Sequence, residues 1–142
     1  MKLLVLNGPN LNMLGIREPE IYGNKTYQDL EEYIFEYCKK KDIDVDIKQT
    51  NDESLYISLI HRANGIYDAC LLNPAAWSHY SYAVRDAISS INVPCYEVHL
   101  SNIEKREDFR KLSVVKDVCV KTVMGLGFDS YIETIKLVER GI

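Results

Sequence analysis

No apolar run in this 142-residue sequence approaches the roughly 20 residues that a membrane-spanning helix needs. The opening residues, MKLLVLNGPN, are too short an apolar stretch for a secretory signal. We therefore expect a cytoplasmic protein with no membrane contact. The chain length predicts one domain, residues 1–142, with a core of its own.

The sequence has no excess of positive charge. Its 17 lysines and arginines and 21 aspartates and glutamates give a formal net charge of -4. A general nucleic-acid binder needs a basic face to displace the counterions of phosphates, so we expect no nucleic-acid partner. Small polar or anionic metabolites remain open as ligands.

Closely spaced cysteines are also lacking. Cys38, Cys70, Cys95 and Cys119 lie far apart and do not have the CxxC spacing of a zinc site. We expect them to be buried free thiols in the interiors of helices or strands. The polar stretches described below contain no acidic cluster, so the sequence predicts no metal.

What the sequence does contain is an alternation of strand and helix patterns. Apolar or alternating runs predict strands from Leu3 and over residues 43–47, 68–72, 95–98 and 117–123. Caps and helical spacing predict helices over residues 26–41, 52–64, from near Ser78 to 88, and 129–140. This alternation indicates an α/β fold with a five-stranded parallel sheet between helices. The simplest right-handed winding gives the strand order 2-1-3-4-5.

That strand order predicts where a site would lie. The switch point falls between the first and third strands, and ligands of such sheets bind beyond the carboxyl ends of the strands there. Three polar stretches follow the first, third and fourth strands, at residues 10–22, 73–79 and 97–102. We expect them to converge.

Two pairs of residues in these stretches suit acid–base chemistry. A cation at Arg17 would favour the phenolate of Tyr22, which could then act as a base. Glu97 and His99 are two apart on a strand and share a face, so the carboxylate can orient the imidazole of a general acid. Taken singly, a loop tyrosine is more often a packing residue and a Glu–His pair more often a structural hydrogen bond. Their meeting at one predicted edge favours chemistry on an anionic, hydroxylated substrate.

The charged segment at residues 104–111 predicts a short solvated helix. Arg106 and Arg110 are four apart and would share one face of it. Such pairs are usually solvated, but this one could also clamp a carboxylate or hydroxyl groups.

Several motifs run in order through nearly the whole chain. They are Asn7-Gly8-Pro9-Asn10-Leu11, Arg17-Glu18-Pro19, Tyr22-Gly23, Gln49-Thr50-Asn51, Asn73-Pro74-Ala75-Ala76, Ser78-His79, Arg85-Asp86-Ala87, Glu97-Val98-His99-Leu100-Ser101-Asn102, Arg106-Glu107, Phe109-Arg110 and Gly125-Leu126-Gly127. Together they resemble the type II 3-dehydroquinate dehydratases. The resemblance implies a flavodoxin-like α/β/α fold, a homo-oligomer in the form of a dodecamer built of trimers, and a place in the shikimate pathway.

The resemblance also implies a reaction, the removal of water from 3-dehydroquinate to give 3-dehydroshikimate through an enolate. Tyr22 would take the proton beside the ketone, and Arg17 would hold it as phenolate. Asn10 would position a water that hydrogen-bonds the enolate oxygen, and His99, oriented by Glu97, would protonate the departing hydroxyl. Neither a cofactor nor a Schiff-base lysine is implied.

The remaining residues of the resemblance would hold the substrate. Three side chains would bind the ring hydroxyls and the carboxylate, with help from two backbone N–H groups: Asn73, His79, Arg110, Leu100 and Ser101. Asp86 would reach the site of a neighbouring subunit, and Arg106 would help to hold a lid.

The sequence departs from the family pattern at several positions. Leu112 stands where a histidine usually precedes Ser113, and Ser78 stands where threonine is common. Trp77, Tyr80 and Tyr82 are bulkier than expected beside His79. None of these changes removes an acid–base group, so we expect them to affect the pocket shape and the trimer contacts.

Two other interpretations fit the predicted fold. A flavodoxin-like signalling or flavin-binding module would need an acidic pair or a hydroxyl-rich phosphate loop after the first strand, where this sequence has Asn7-Gly8-Pro9-Asn10. An inactive structural oligomer on the same scaffold is disfavoured because every acid–base group is present.

Overall fold

Five parallel strands form one sheet in the predicted order. The computed structural model describes residues 1–16 and 24–142. The strands are β1 (Lys2–Asn7), β2 (Asp44–Gln49), β3 (Ala69–Asn73), β4 (Cys95–His99) and β5 (Thr122–Met124), and they lie side by side as β2-β1-β3-β4-β5. The register pairs Asn7 with Asn73 at the carboxyl ends of β1 and β3. The α/β class, the parallel sheet and its order are confirmed.

Helices follow the strands, and the first three of them begin at side-chain caps. They are α1 (Tyr27–Lys40), α2 (Glu53–Arg62), α3 (Tyr82–Ser89), the short α4 (Asp108–Lys111) and α5 (Asp129–Glu139). Thr26 and Asp29 form a reciprocal capping box at the start of α1, as their spacing predicts. Asp52 caps α2 and Ser81 caps α3 through side-chain hydrogen bonds. None of the helices in these two described stretches is long and apolar enough to cross a membrane.

Two hydrophobic cores lie on opposite faces of the sheet. Alternate residues of β1 point into different cores, Leu3 and Val5 into one, Leu4 and Leu6 into the other. The first core is completed by α1 and α5, and the second by α2 and α3. The sheet is therefore the middle of three layers, as in flavodoxin-like folds.

Two of the predicted element boundaries need correction. Ser78 does not begin α3, because residues Ala75–His79 form a 3₁₀ turn in which the Ser78 hydroxyl donates to the Ala75 carbonyl at 2.7 Å. The strand expected over residues 117–123 is reduced to β5. Val115 is fully buried in the second core, and a 3₁₀ turn at Lys116–Val118 follows it, so the chain joins the sheet edge only afterwards.

The cysteines are free thiols. Cys38, Cys70 and Cys95 are buried, as predicted, whereas Cys119 is only partly buried. Cys119 follows the 3₁₀ turn at Lys116–Val118 instead of lying within a strand, which accounts for the difference.

Candidate active site

The loops after β1 and β3 lie against each other at the switch point. The Gly8 N–H donates to the Asn73 carbonyl at 2.8 Å. A Cβ atom on Gly8 would lie 2.7 Å from the Pro74 carbonyl oxygen, so this approach requires glycine. Contact between the two backbones brings the polar loops to one place.

A cleft opens at this point and collects most of the predicted residues. Eight predicted side chains or backbone segments line it: Asn10, Asn73, His79, His99, Leu100, Ser101, Arg106 and Arg110. Sequence reasoning did not single out five further lining residues: Pro9, Leu11, Ala75, Ala76 and Ile103. Convergence of the stretches after β1, β3 and β4 is thus observed. Arg17 and Tyr22 lie outside the described residues.

Glu97 and His99 form a buried pair at the end of β4. The His99 Nε2 lies 2.6 Å from the Glu97 Oε2, as the spacing of two along the strand predicts. Glu97 is fully buried, and His99 is 5% exposed and lines the cleft. Because an ionised carboxylate only accepts hydrogen bonds, Nε2 carries a proton and Nδ1 is the ring nitrogen left for a ligand.

Two hydroxyl groups complete the surroundings of Glu97. Ser113 Oγ donates to Oε2 at 2.7 Å, and Thr122 Oγ1 donates to Oε1 at 3.1 Å. Burial alone would raise the pKa of the Glu97 carboxyl, but its hydrogen bonds and the charge of His99 outweigh burial and hold the pKa below its ordinary value. Glu97 is therefore ionised near neutral pH, and we call Glu97, His99, Ser113 and Thr122 the Glu97 cluster.

His79 lies at the other side of the cleft as a neutral ring. Its Nδ1 lies 2.8 Å from the Leu112 carbonyl, which can only accept, so Nδ1 carries the proton. Burial lowers the pKa of His79, and the charges of His99 and Arg110 lower it further. Nε2 is left as an acceptor for a ligand hydroxyl.

The contact with His79 also accounts for one departure from the family pattern. Leu112 bonds His79 through its backbone carbonyl, and its side chain is 59% exposed. The histidine usual at this position is therefore not needed to hold His79.

The bulky residues near His79 do not fill the cleft. Trp77 is buried in the second core with its ring 5.1 Å from that of Tyr56, edge to face. Tyr80 and Tyr82 are exposed, and none of these aromatic residues is among those that line the cleft.

Arg106 and Arg110 both line the cleft, but they do not lie on one helix as predicted. Arg106 follows a 3₁₀ turn at Ile103–Lys105 in an extended conformation, and Arg110 lies in the separate helix α4. The single helix predicted over residues 104–111 is wrong because the non-helical residues Arg106 and Glu107 interrupt it. Arg106 Nη1 donates to Ser101 Oγ at 3.3 Å, and Arg110 Nε donates to Glu107. Both guanidinium groups still line one cleft.

Asn10 is held by amides from the end of β2. Its backbone has a left-handed φ of 69°, and its N–H donates to the Asn51 Oδ1 at 2.9 Å. Gln49 Nε2 in turn donates to Asn51 Oδ1 at 3.1 Å and to the Gly8 carbonyl at 3.1 Å. These bonds fix the backbone that presents Asn10 to the cleft.

Two predicted and described residues do not line this cleft: Glu97, which contacts the lining residue His99, and Asp86. Asp86 is exposed on α3. Its expected part in a neighbouring subunit's site stays a prediction.

Four residues that hold the predicted site residues had no predicted role. Asn51 contacts Asn10, Ser113 and Thr122 contact Glu97, and the Tyr131 hydroxyl accepts from Asn73. Thr122 could have been found, because β5 pairs it directly with Glu97 once the strand is correctly placed. Asn51 belongs to the motif Gln49-Thr50-Asn51 but has no predicted role in the site, whereas in the structure Asp52 caps α2 and Asn51 accepts from the Asn10 N–H. Ser113 lies in an irregular segment, where no periodic pattern marks it.

Within residues 1–16 and 24–142, no group of three or more His, Cys, Asp or Glu side chains is arranged to hold a metal ion.

Comparisons with known proteins agree with the resemblance seen in the sequence. A 3-dehydroquinate dehydratase from Clostridium beijerinckii is 48% identical over 140 residues, which cover 98% of this chain and 96% of that protein. A 3-dehydroquinate dehydratase from Thermotoga neapolitana is 46% identical over 140 residues, which cover 99% of this chain and 95% of that protein. The crystal structure of type II dehydroquinase from Butyrivibrio crossotus matches with a TM-score of 0.96 and 47% identity, over 98% of this chain and 97% of that chain.

The family model described as dehydroquinase class II matches residues 1–139, almost the whole chain. The predicted resemblance is confirmed by this match, by the relatives and by the fold. The chain therefore belongs to the class II dehydroquinase family of enzymes.

Proposed function

We propose that this enzyme removes water from 3-dehydroquinate to give 3-dehydroshikimate through an enolate intermediate. The observation that carries the mechanism is the Glu97 cluster: an ionised, buried carboxylate holds His99 at the wall of a cleft that also contains two guanidinium groups. Family membership supports the substrate. The whole chain, residues 1–142, would act as one catalytic domain.

In the first step, the phenolate of Tyr22 takes a proton from the carbon beside the ketone, and the electron pair moves to the carbonyl oxygen as an enolate. Arg17 holds Tyr22 as phenolate by its charge. These two roles rest on the family motifs, since both residues lie outside the described part. Asn10 positions a water that hydrogen-bonds the enolate oxygen and stabilises its developing charge.

In the second step, the enolate electrons return, the carbon–oxygen bond to the hydroxyl breaks, and a new carbon–carbon double bond forms. The leaving hydroxyl takes a proton from His99 and departs as water. The Glu97 carboxylate stabilises the protonated ring before this transfer and keeps the ring in one orientation. No bond to a lysine is formed.

Binding of the substrate uses the remaining lining groups. Arg110 and Arg106 provide the positive charge for a carboxylate. Nε2 of the neutral His79 accepts from a ring hydroxyl, and Asn73 donates to another. Backbone N–H groups at Leu100 and Ser101 contribute further hydrogen bonds.

The proposal extends to assembly and cellular role. Asp86 is exposed on α3, where it can reach the site of a second copy of the chain, as expected for a dodecamer built of trimers. Exposed aromatic side chains at Tyr80 and Tyr82 on the same segment support a covered surface there. A cytoplasmic location and a step in aromatic amino acid biosynthesis complete the proposal.

The test is an absorbance assay of the purified protein with 3-dehydroquinate, in which the conjugated product is followed in the ultraviolet. We expect turnover by the wild type and a loss of about 100-fold or more in kcat for Tyr22→Phe, the size of effect that a general base provides. Tyr67→Phe is the matched control, because Tyr67 precedes β3 and lies at the opposite end of the sheet from the cleft. An oligomeric wild type without turnover would support the inactive structural alternative.

Borohydride separates this mechanism from one that uses a Schiff base. Borohydride together with substrate should leave the activity intact, because no imine to lysine forms. Covalent trapping of substrate on any lysine, observed by mass spectrometry, would refute the enolate route without a Schiff base.

A further inference from the structure

A row of neutral side chains, three of them buried and one half-buried, links α5 to the carboxyl ends of β1 and β3. Asn73 Nδ2 donates to Tyr131 Oη at 2.9 Å, Tyr131 Oη donates to Asn7 Oδ1 at 2.6 Å, and Asn7 Nδ2 donates to Tyr27 Oη at 3.2 Å. We call Asn73, Tyr131, Asn7 and Tyr27 the Tyr131 chain. Of these four residues, Asn73 is the one that lines the cleft.

The Tyr131 chain is buried far more deeply than its polarity alone would favour. Tyr131 and Asn7 are fully buried, and Asn73 is 3% exposed. Buried polar groups are costly unless each finds a partner, and a simple core position would be filled by an aliphatic side chain. Burial raises the pKa of Tyr131 and raises the pKa of Tyr27 to about 12, so the phenols stay neutral. The Tyr131 chain therefore carries no charge, and its hydrogen bonds can only orient the side chains that they join.

The direction of the bonds between Asn73, Tyr131 and Asn7 is fixed from the Asn73 end. Asn73 Oδ1 accepts from the Ala75 N–H at 3.1 Å, so the amide cannot exchange its oxygen and nitrogen without losing that bond. Ala75 has a left-handed φ of 52°, an unfavourable conformation that this bond helps to hold. At the other end, Asn7 takes the only proton of Tyr131, which leaves the phenol oxygen to accept from Asn73. One N–H of Asn73 remains for a ligand in the cleft.

We propose that Tyr131 is a positioning residue for substrate binding, because it orients the Asn73 amide so that its remaining N–H meets a hydroxyl of the substrate. This inference rests on the proposed function and assigns a new residue to the same site. We assign Asn73 to a substrate hydroxyl that does not react, and their hydrogen bond would then be present before and during the reaction. Loss of the correct orientation should therefore raise KM and leave kcat nearly unchanged.

Tyr131→Phe tests the proposal, and the chain offers a close control in Tyr56→Phe. Tyr56 is also fully buried, and its hydroxyl donates to the Leu6 carbonyl at 3.0 Å, but it lies in the core on the other face of the sheet. Both variants should melt at a lower temperature. In the 3-dehydroquinate assay we expect KM to rise about fivefold to tenfold in Tyr131→Phe only, which is the usual worth of one or two hydrogen bonds. An equal KM in both variants would overturn the proposal.

A double variant, Tyr131→Phe made in the Asn73→Ala protein, tests whether Tyr131 acts through Asn73. In Asn73→Ala the amide is gone, so adding Tyr131→Phe should raise KM no further. Independent increases that multiply would assign Tyr131 a structural role only. If Tyr131→Phe does not fold, Asn7→Ala serves instead, since it frees the phenol proton and should raise KM to a smaller extent. An unchanged KM in Asn7→Ala would overturn the proposal.

The wild type in the same assay separates the two hypotheses. A wild type that turns over 3-dehydroquinate together with an unchanged KM in Tyr131→Phe refutes the role of Tyr131 alone. A folded wild type without turnover refutes the proposed function, and with it the inference that depends on it.

Discussion

Two buried polar groups of residues flank the same cleft, and they differ in charge. The Glu97 cluster lies at β4 and β5 and contains an ionised carboxylate with three donors around it. The Tyr131 chain lies at β1 and β3 and contains only amides and phenols. Glu97 and Tyr131, the central residues of the two groups, are both fully buried, so the difference is one of chemistry and not of depth.

From this comparison we infer that the two groups have different tasks in the proposed reaction. A buried charge is stable only where hydrogen-bond donors surround it closely. Proteins place such a charge where a proton must move, because it sets the pKa of the group beside it. A buried neutral network costs less and suits a task that needs only orientation. We therefore expect the Glu97 cluster to control kcat and the Tyr131 chain to control KM.

The largest expected effect comes from Glu97→Gln, which removes the charge of the Glu97 cluster and keeps its shape. Glutamine cannot stabilise a protonated imidazole, and its amide can donate to His99 Nε2 and so favour the wrong tautomer. We expect kcat to fall about 100-fold, within the range for general acid catalysis, with little change in KM. Steady-state kinetics with 3-dehydroquinate measure both constants.

The control for Glu97→Gln is Glu133→Gln, since Glu133 pairs with Lys136 on the exposed side of α5. It should leave kcat unchanged. An equal kcat for Glu97→Gln and the wild type would mean that the charge of Glu97 does not assist the proton transfer. The expectation that the Glu97 cluster controls kcat and the Tyr131 chain controls KM would then be wrong.

Gly8→Ala should damage the Tyr131 chain and spare the Glu97 cluster. The new Cβ would press on the Pro74 carbonyl, next to Asn73, where neither backbone can yield easily. We expect the free energy of unfolding to fall by about 2 kcal/mol, as for overpacked positions, and KM to rise more than kcat falls. Urea denaturation and steady-state kinetics provide these values.

Gly65→Ala is the matched variant for Gly8→Ala. Gly65 has a left-handed φ of 79°, and a Cβ atom there would meet no other atom within 4 Å, so alanine costs only backbone strain, about 1 kcal/mol. Its KM should equal that of the wild type. A raised KM in both variants would trace the effect to general loss of stability.

A smaller effect is expected for Ser113→Ala, which removes one of the donors to Glu97. Hydrogen bonds to charged groups contribute about 1.5–3 kcal/mol, so stability should fall by roughly that amount. His99 keeps its bond to Glu97, so kcat should fall by only about threefold. Ser90→Ala, which loses a hydroxyl bond to the Ala87 carbonyl on α3, is the control and should not change kcat.

The sequence was sufficient for the sheet, its order and most of the cleft. Apolar runs such as residues 3–6 and caps such as Thr26 are local signals, and the parallel topology then determines which strand ends meet. Glu97 and His99 could be paired because strand geometry alone puts them on one face.

The remaining features depend on contacts that are distant in the sequence. Tyr131 meets Asn7 across 124 positions, and no periodic pattern marks that contact. The short β5 follows a buried Val115 and a 3₁₀ turn, and the core that buries Val115 is built from residues distant in the sequence. Arg106 and Arg110 both line the cleft although the single helix predicted for them does not form, since the non-helical Arg106 and Glu107 divide the segment.

The smallest expected effect, and the one that separates the two regions most directly, is the dependence of stability on pH. The pKa of Glu97 is lowered in the folded protein, where hydrogen bonds and the charge of His99 outweigh its burial. A carboxyl with a lowered pKa binds its proton less readily when folded than when unfolded, so stability rises with pH through this range. The contribution of Glu97 is thus complete above the ordinary glutamate pKa of about 4.3 and is lost as the pH falls through the lower, folded value.

We expect the difference in unfolding free energy between the wild type and Glu97→Gln to shrink as the pH is lowered through this window. The difference between the wild type and Tyr131→Phe should stay constant over the same window, because the Tyr131 chain is neutral. Urea denaturation of the three proteins at a series of pH values provides both differences, and a pH-dependent difference for Tyr131→Phe would show that the two regions are coupled by charge after all.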